Sequence, residues 1–258
     1  MNQPGEAHFF ERYDRFIKNA AATASPESGL ANIARLRRQY DVFVASNREL
    51  FKGARVLDIR SSHGFWSLAA LDAGAAHVVG VEASQQAAEA ARKAFAEYPF
   101  NPEAYQFSSA ATSAALRNFD PGEFDLVLCH GFLERSDPRF LFHQLVRLRV
   151  KHVVLDTRIV RGKGPIIRLV ERSGDAVKAK GPARYASILS VPNHELITFF
   201  CDYAQYRWRQ IDWKTLGITD WASITDYAQD RRRTYVLERS AAASQPAGAA
   251  RANRRRAP

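Results

Sequence analysis

The sequence predicts an α/β fold built on a doubly wound, mostly parallel sheet. Short apolar runs recur at Val56–Ile59, His77–Val81, Phe124–Cys129 and His152–Asp156, as expected of strands buried on both faces. Helical stretches separate these runs, and strand–helix alternation at this spacing argues for parallel pairing. Acids at Asp58 and Glu82 stand at the carboxyl ends of the first two runs. That edge of an open α/β sheet is where ligands bind.

The elements follow in order. Residues 1–50 hold helical stretches around Phe9–Ala22 and Ser28–Ser46, parted by a turn over Ser25–Ser28. After the first strand, Phe65–Leu71 reads as a helix that Gly74 stops. Ser84 caps a helix over Gln85–Phe95, and Pro99 and Pro102 end it. Tyr105–Phe107 is a weak third strand, Phe124–Cys129 a fourth and His152–Asp156 a fifth, with an amphipathic helix opening at Asp137-Pro138. Residues 159–191, with Gly162, Gly164, Pro165, Gly174, Gly181 and Pro182, read as an inserted arm. Pro192-Asn193 then opens a helix to Tyr203, Tyr206–Trp213 alternates as a strand, and Arg233–Glu238 forms a last one. Trp66 reads as core, and Trp208 and Trp213, on one alternating strand, read as structural aromatics.

The turn after the first strand restricts the ligand. A dinucleotide fingerprint needs three glycines: for the tight turn, for close approach to a pyrophosphate and for helix packing. The corresponding positions carry Arg60, Ser62 and Gly64. Side chains therefore stand where a pyrophosphate needs bare backbone, which argues against NAD or FAD. An adenosine ligand without phosphate loses less. Glu82, some 20 residues past the turn, is placed to accept from ribose hydroxyls, and an acid at the end of a buried strand is costly without such a partner.

The run Val56-Leu57-Asp58-Ile59-Arg60-Ser61-Ser62-His63-Gly64-Phe65-Trp66-Ser67, with Gly80-Val81-Glu82, resembles the first two motifs of class I S-adenosylmethionine-dependent methyltransferases. Phe124–Leu133 with Asp137-Pro138 is similar to that family's fourth-strand motif, and Lys151–Thr157 to its fifth strand. The resemblance spans about residues 40–240 and points to small bacterial methyltransferase-domain proteins. It implies a Rossmann-like, doubly wound seven-stranded methyltransferase sheet, with N-terminal helices and the arm inserted before the last two strands. Residues 51–240 would then form the S-adenosylmethionine-binding domain, 1–50 a helical lid, and 159–191 part of the acceptor site.

The same resemblance implies S-adenosylmethionine as cofactor and methyl transfer to a small-molecule acceptor by in-line displacement. The cofactor-binding residues it implies are Asp58, Arg60, Ser61, Ser62, Gly64, Glu82, Ala83, Ser84 and Cys129, with Phe132 or Leu133 packing alongside. His130 is the candidate general base, since an imidazole titrates in a suitable range, and Asp156 and Thr157 stand on the acceptor side. For Arg60 two readings stay open: it clamps the methionyl carboxylate, or it points away and marks weakened binding. Glu134 and Arg135 depart from a more aromatic and histidine-like pairing in relatives, so acceptor identity does not carry over.

Charge and composition bound the alternatives. Of the net charge of +10 on 258 residues, four units lie in residues 241–258, a stretch with no acid that reads as a disordered basic tail. Clusters at Arg35–Arg38, Arg161–Lys163 and Arg231–Arg233 read as solvated faces. A methyltransferase for RNA or another polyanion, and a catalytically silent binding protein, are the competing readings; zinc-finger spacing and aromatic ribonucleoprotein motifs are lacking. No apolar run reaches the roughly 18 residues of a membrane span, and Met1–His8 lacks the pattern of a signal peptide. With Cys129 and Cys201 on buried elements, a cytoplasmic enzyme is expected. The seven histidines show no metal-binding spacing, so no metal is expected.

Overall fold

A computed structural model describes residues 8–23, 32–171 and 188–240. Strands β1 (Arg55–Ile59), β2 (His77–Glu82), β3 (Tyr105–Ser109), β4 (Leu126–His130) and β5 (His152–Arg158) pair in parallel. A hairpin of β6 (Ile167–Glu171) and β7 (Ile188–Pro192) stands apart from them. β8 (Tyr206–Ile211) and β9 (Arg232–Arg239) then extend the main sheet antiparallel, in the order β3-β2-β1-β4-β5-β9-β8. The order reverses between β1 and β4, which places the ligand crevice at their carboxyl ends.

Period-two alternation sorts the strand residues into two cores. Val56, Val78, Leu126, Leu128 and Val154 face one side, while Leu57, Ile59, Val127, Cys129, Val153 and Leu155 face the other. On the first side lie α1 (Phe9–Arg12), α2 (Asp14–Thr23), α3 (Ile33–Phe43), α4 (Phe65–Asp72) and α5 (Gln85–Phe95). On the second lie α6 (Thr112–Asn118), α7 (Pro138–Arg147) and α8 (His194–Tyr203). The N-terminal helices are part of the first core. Phe9 stacks on Tyr40 with centroids 4.4 Å apart, and Phe9 meets Phe65 of α4 edge-on at 5.7 Å.

Local chemistry sets the element ends. Ser84, Asp137 and Asn193 cap α5, α7 and α8, each accepting a hydrogen bond from a first-turn N–H. Gly64 opens α4 with φ +81°, and a Cβ there would lie 2.9 Å from Phe95 and 3.0 Å from Phe107. It is the helix-packing glycine of the turn.

Several elements differ from the sequence expectation. The first helical stretch breaks at Tyr13, whose φ/ψ of −114°/24° ends α1. The second ends at Phe43, because the Asn47 amide donates to the Val42 and Phe43 carbonyls and competes with the helical ladder. Trp213 leaves β8: Asp212 accepts from the Lys214 N–H and starts a 3-10 turn that carries Trp213 inward onto a short helix, α9 (Thr225–Ala228), where it stacks on Tyr227 at 3.8 Å. The Ser25–Ser28 turn, most of the arm beyond Glu171 and the basic tail lie outside the described residues. Among those residues, no helix is long and apolar enough to cross a membrane.

Gly80 on β2 leaves no room for a side chain, since a Cβ would sit 2.5 Å from Phe107 and 2.8 Å from the Ser61 hydroxyl. Gly80→Ala is therefore expected to destabilise the fold by about 1–3 kcal/mol. Urea unfolding measures this, and the penalty should shrink when Phe107 is also cut back to Leu.

Candidate functional site

The turn after β1 keeps a glycine-type backbone without its glycines. Arg60 and Ser62 hold φ of +62° and +51°, a left-handed conformation that costs about 1–2 kcal/mol in an L-residue. Such strain persists only where surrounding structure imposes it. Here Glu82 supplies one restraint: its Oε2 accepts from the Ser62 N–H and its Oε1 from the Ser84 N–H, both at 3.0 Å. The Ser61 N–H is tied to the Val81 carbonyl at 3.0 Å. The β1 turn and the start of α5 thus close around one half-buried carboxylate, and Ala83 and Ser84 lie exposed beside it.

Asp58, Ser61 and Cys129 are placed differently. Asp58 is 1% exposed and accepts from the Ser67 hydroxyl of α4 at 2.7 Å. Burial pushes its pKa up to about 7, with Glu82 adding to the rise and the Ser67 bond opposing it. The Ser61 hydroxyl is buried against Gly80 with no hydrogen-bond partner among the described residues. The Cys129 thiol lies in the second core, where burial raises its pKa to about 12. Only the Cys129 backbone reaches the sheet edge, and Phe132 and Leu133 are sealed into the same core.

Arg60 reaches across the switch point. Its Nη1 donates to the Gly131 carbonyl, just past β4, at 2.8 Å. The guanidinium is engaged by protein in this contact, which selects neither the carboxylate clamp nor the weakened-binding reading.

His130 and Asp156 are paired neighbours on β4 and β5, on the same sheet face as Asp58. His130 lies between the rings of Phe43 and Trp66, each 5.6 Å away. Its Nε2 is 3.2 Å from the Gln39 amide nitrogen of α3 and 3.5 Å from Asp156 Oδ1. The Gln39 nitrogen also donates to the Tyr227 hydroxyl at 2.9 Å, so His130 Nε2 serves as an acceptor in this network. Burial, then Arg232, Arg35 and Arg60, hold its pKa well below the usual value. The expectation of an imidazole titrating near neutrality is corrected: it is held neutral and is a weak base.

Asp156 is the hub of a network invisible to the sequence reading. Its Oδ1 accepts from Arg232 Nε at 2.6 Å, and its Oδ2 accepts from Tyr227 at 2.9 Å and Thr234 at 2.8 Å. Thr234 in turn accepts from the Trp213 indole at 3.1 Å. Burial alone would lower the Arg232 pKa, but Asp156, Tyr227 and Glu134 hold it well above its ordinary value. Asp156 is 1% exposed and its oxygens are engaged, so it orients its neighbours rather than facing open crevice. One arginine from each of two clusters read as solvated faces turns inward. Arg232 is buried, and Arg35 makes a bidentate pair with Asp226 at 2.7 and 2.8 Å that latches α3 to α9. A neighbour-by-neighbour register across β5 and β9 would have been the signal for Arg232 and Thr234.

Among the described residues, no group of three or more His, Cys, Asp or Glu could hold a metal ion. A second groove lies at the opposite sheet edge, lined by Asn47, His152, Arg207 and Glu238 among others. Its cations are already engaged, Arg207 by Glu238 and Arg209 by Asn47.

The comparisons fit this geometry. The family model of the methyltransferase domain matches residues 56–151, the stretch that carries the turn, Glu82 and His130. Residues 56–151 carry a methyltransferase domain. No curated protein sequence matches it. Among solved structures, the methyltransferase domain is similar to magnesium protoporphyrin IX methyltransferase from Synechocystis PCC 6803, crystallised with bound S-adenosylmethionine. That match has 13% identity and a TM-score of 0.54 over 92% of this chain and 100% of that one. It is also similar to the 1,6-didemethyltoxoflavin-N1-methyltransferase of Burkholderia thailandensis, crystallised with its substrate and S-adenosylhomocysteine, at 14% identity and a TM-score of 0.53 over 93% of both chains. A third similar structure is the cyclase SpnF, at 12% identity and a TM-score of 0.53 over 89% of this chain and 94% of that one. At these identities the solved structures show the fold.

The buried Asp58 carboxyl makes a pH prediction. Its folded pKa of about 7 lies above the ordinary value near 3.9, so the folded state holds the proton more tightly. Stability from this group is full below about pH 4 and is lost as pH rises to about 7. Asp58→Asn keeps an acceptor for Ser67 and cannot ionise. Between about pH 4 and pH 7, wild type should lose on the order of 2–4 kcal/mol relative to the variant. Parallel denaturation curves across that range would contradict the assignment.

Proposed function

We propose that the chain binds S-adenosylmethionine at the β1–β4 switch point and transfers its methyl group to a small-molecule acceptor held beside His130. The observation that carries this reading is the Glu82 carboxylate, fixed by the Ser62 and Ser84 N–H groups at 3.0 Å inside a turn whose left-handed backbone is kept despite two side chains. Each Glu82 oxygen takes one backbone bond and retains lone-pair capacity, which suits the paired hydroxyls of a ribose. The donor set fits adenosine and lacks the bare backbone a pyrophosphate requires.

The cofactor supplies an activated methyl on sulfur, so the protein's task is alignment. Glu82 holds the ribose, with the exposed Ala83 and Ser84 beside it. Asp58, Ser61 and Gly64 shape the turn from beneath, and the Cys129 backbone lies next to it, one residue before the end of β4. His130 faces the acceptor with a side chain 23% exposed and, with Nε2 accepting from Gln39, offers it the Nδ1–H as a donor. Asp156 acts through Tyr227 and Gln39 as a positioning residue for His130. Residues 1–50 then act as a lid through α3, and the β6–β7 hairpin contributes to the acceptor side. A neutral, weakly basic His130 favours acceptors that ionise readily or lose their proton to solvent.

A second reading, a methyltransferase-like protein that transfers no methyl, rests on Arg60 and Ser62 replacing glycines. The cyclase with the same fold gives it a precedent.

Calorimetric titration with S-adenosylhomocysteine separates the two from a loss of cofactor binding altogether. Micromolar binding by wild type is expected, with Glu82→Gln weaker by about 10–100-fold, because its amide N–H₂ would face a backbone donor. Labelled S-adenosylmethionine added to small-molecule extracts should then label a low-mass product. Binding without label transfer favours the second reading, and absence of binding at millimolar ligand removes the proposal.

A further inference from the structure

We propose that Arg60 sets the charge of the nucleoside this crevice takes, so that the neutral thioether S-adenosylhomocysteine is held more tightly than the sulfonium S-adenosylmethionine. The proposal rests on the cofactor site described above and concerns its selectivity.

Arg60 differs from the other arginines around the crevice. Arg232 faces Asp156 at 2.6 Å, Arg158 faces Glu134 at 3.1 Å, and Arg35 faces Asp226 at 2.7 Å. Among the described residues Arg60 has no carboxylate within ion-pair distance, and the Gly131 carbonyl is its one hydrogen-bond acceptor. Half-buried, it feels Glu82 and Glu134 only through space and without a direct ion pair. Arg135, in the loop after β4, adds repulsion: burial and then Arg135 lower the Arg60 pKa from its ordinary value, outweighing the opposing pull of Glu82 and Glu134. A guanidinium stays protonated through such a shift.

The sheet order puts that charge in the path of the ligand. Glu82 ends β2, β1 lies next to it, and β4 follows. A substituent that leaves a ribose held at Glu82 and runs toward the acceptor-facing His130 on β4 must pass the β1 turn. Arg60 bridges that passage, from the turn to Gly131. Gly131 itself is tightly surrounded: a Cβ there would lie 3.2 Å from Glu134, 3.5 Å from Arg232 and 3.7 Å from Arg60. The guanidinium is tethered on the β4 side by its bond to the Gly131 carbonyl. A cation on the ligand meets another cation there in a medium that screens poorly, while a thioether does not.

The test is calorimetric titration of three probes, S-adenosylmethionine, S-adenosylhomocysteine and 5′-methylthioadenosine, against wild type, Arg60→Gln and Arg60→Gly. Gln keeps length and polarity without charge, and Gly relieves the left-handed backbone, so at least one variant is expected to fold; thermal unfolding confirms it. Wild type should bind the homocysteine thioether at least about tenfold more tightly than the sulfonium, and both variants should narrow that ratio to about threefold or less by tightening the sulfonium. Methylthioadenosine, neutral and without the amino-acid tail, should change little. A ratio that stays the same in both variants overturns the proposal. So does equal weakening of both amino-acid-bearing ligands with methylthioadenosine unchanged, because that pattern marks a carboxylate contact. Failure of wild type to bind any of the three overturns the cofactor site itself.

Discussion

The carboxylate of Glu82 is the constraint on which the crevice depends. It accepts one backbone N–H from the β1 turn and one from the start of α5, each at 3.0 Å. By doing so it fixes the relative position of two parallel strands at their ligand-bearing edge. Charge-assisted bonds of this kind are about twice as strong as neutral ones, enough to offset the left-handed backbone at Ser62. The turn therefore keeps the left-handed shape of a glycine-rich loop while carrying side chains at Arg60 and Ser62.

A second buried anion organises the opposite wall. Asp156 joins β5 to β9 through Arg232 and Thr234, and joins the sheet to α3 through Tyr227 and Gln39. A fully buried ion pair of this kind contributes little net stability, but removing one partner strands a charge in the core. Its effect is to give α3 a defined seat: Gln39 and Arg35, one helical turn apart, both dock on residues 223–227. The N-terminal helices accordingly share one core with the sheet. His130, in contact with Gln39 and flanked by Phe43 and Trp66, reports on both walls at once.

Much of this was legible in the sequence, for physical reasons that also explain what was not. Strands buried on both faces write themselves as continuous apolar runs, so β1, β2, β4 and β5 could be placed from Val56–Ile59, His77–Val81, Phe124–Cys129 and His152–Asp156. Caps are local chemistry, and Ser84, Asp137 and Asn193 stand where a helix must start. Arg232 was hidden because its burial follows from an antiparallel register between distant segments, and an Arg-Arg-Arg run looks solvated until that register is known. Gln39, Tyr227 and Trp213 were hidden for the same reason, each meeting a partner from another part of the chain. The lowered basicity of His130 was hidden because its burial, and then the three arginines around it, are set only by the fold.

The central claim is that the strained turn and Glu82 form a nucleoside site with Arg60 at its acceptor-side exit. A crystal structure of the protein soaked with S-adenosylhomocysteine tests it most directly. The account predicts both ribose hydroxyls on Glu82, unchanged left-handed backbone at Arg60 and Ser62, and the thioether sulfur beside the Arg60 guanidinium. A ligand bound elsewhere, or a ribose that leaves Glu82 with only its two backbone partners, would contradict it.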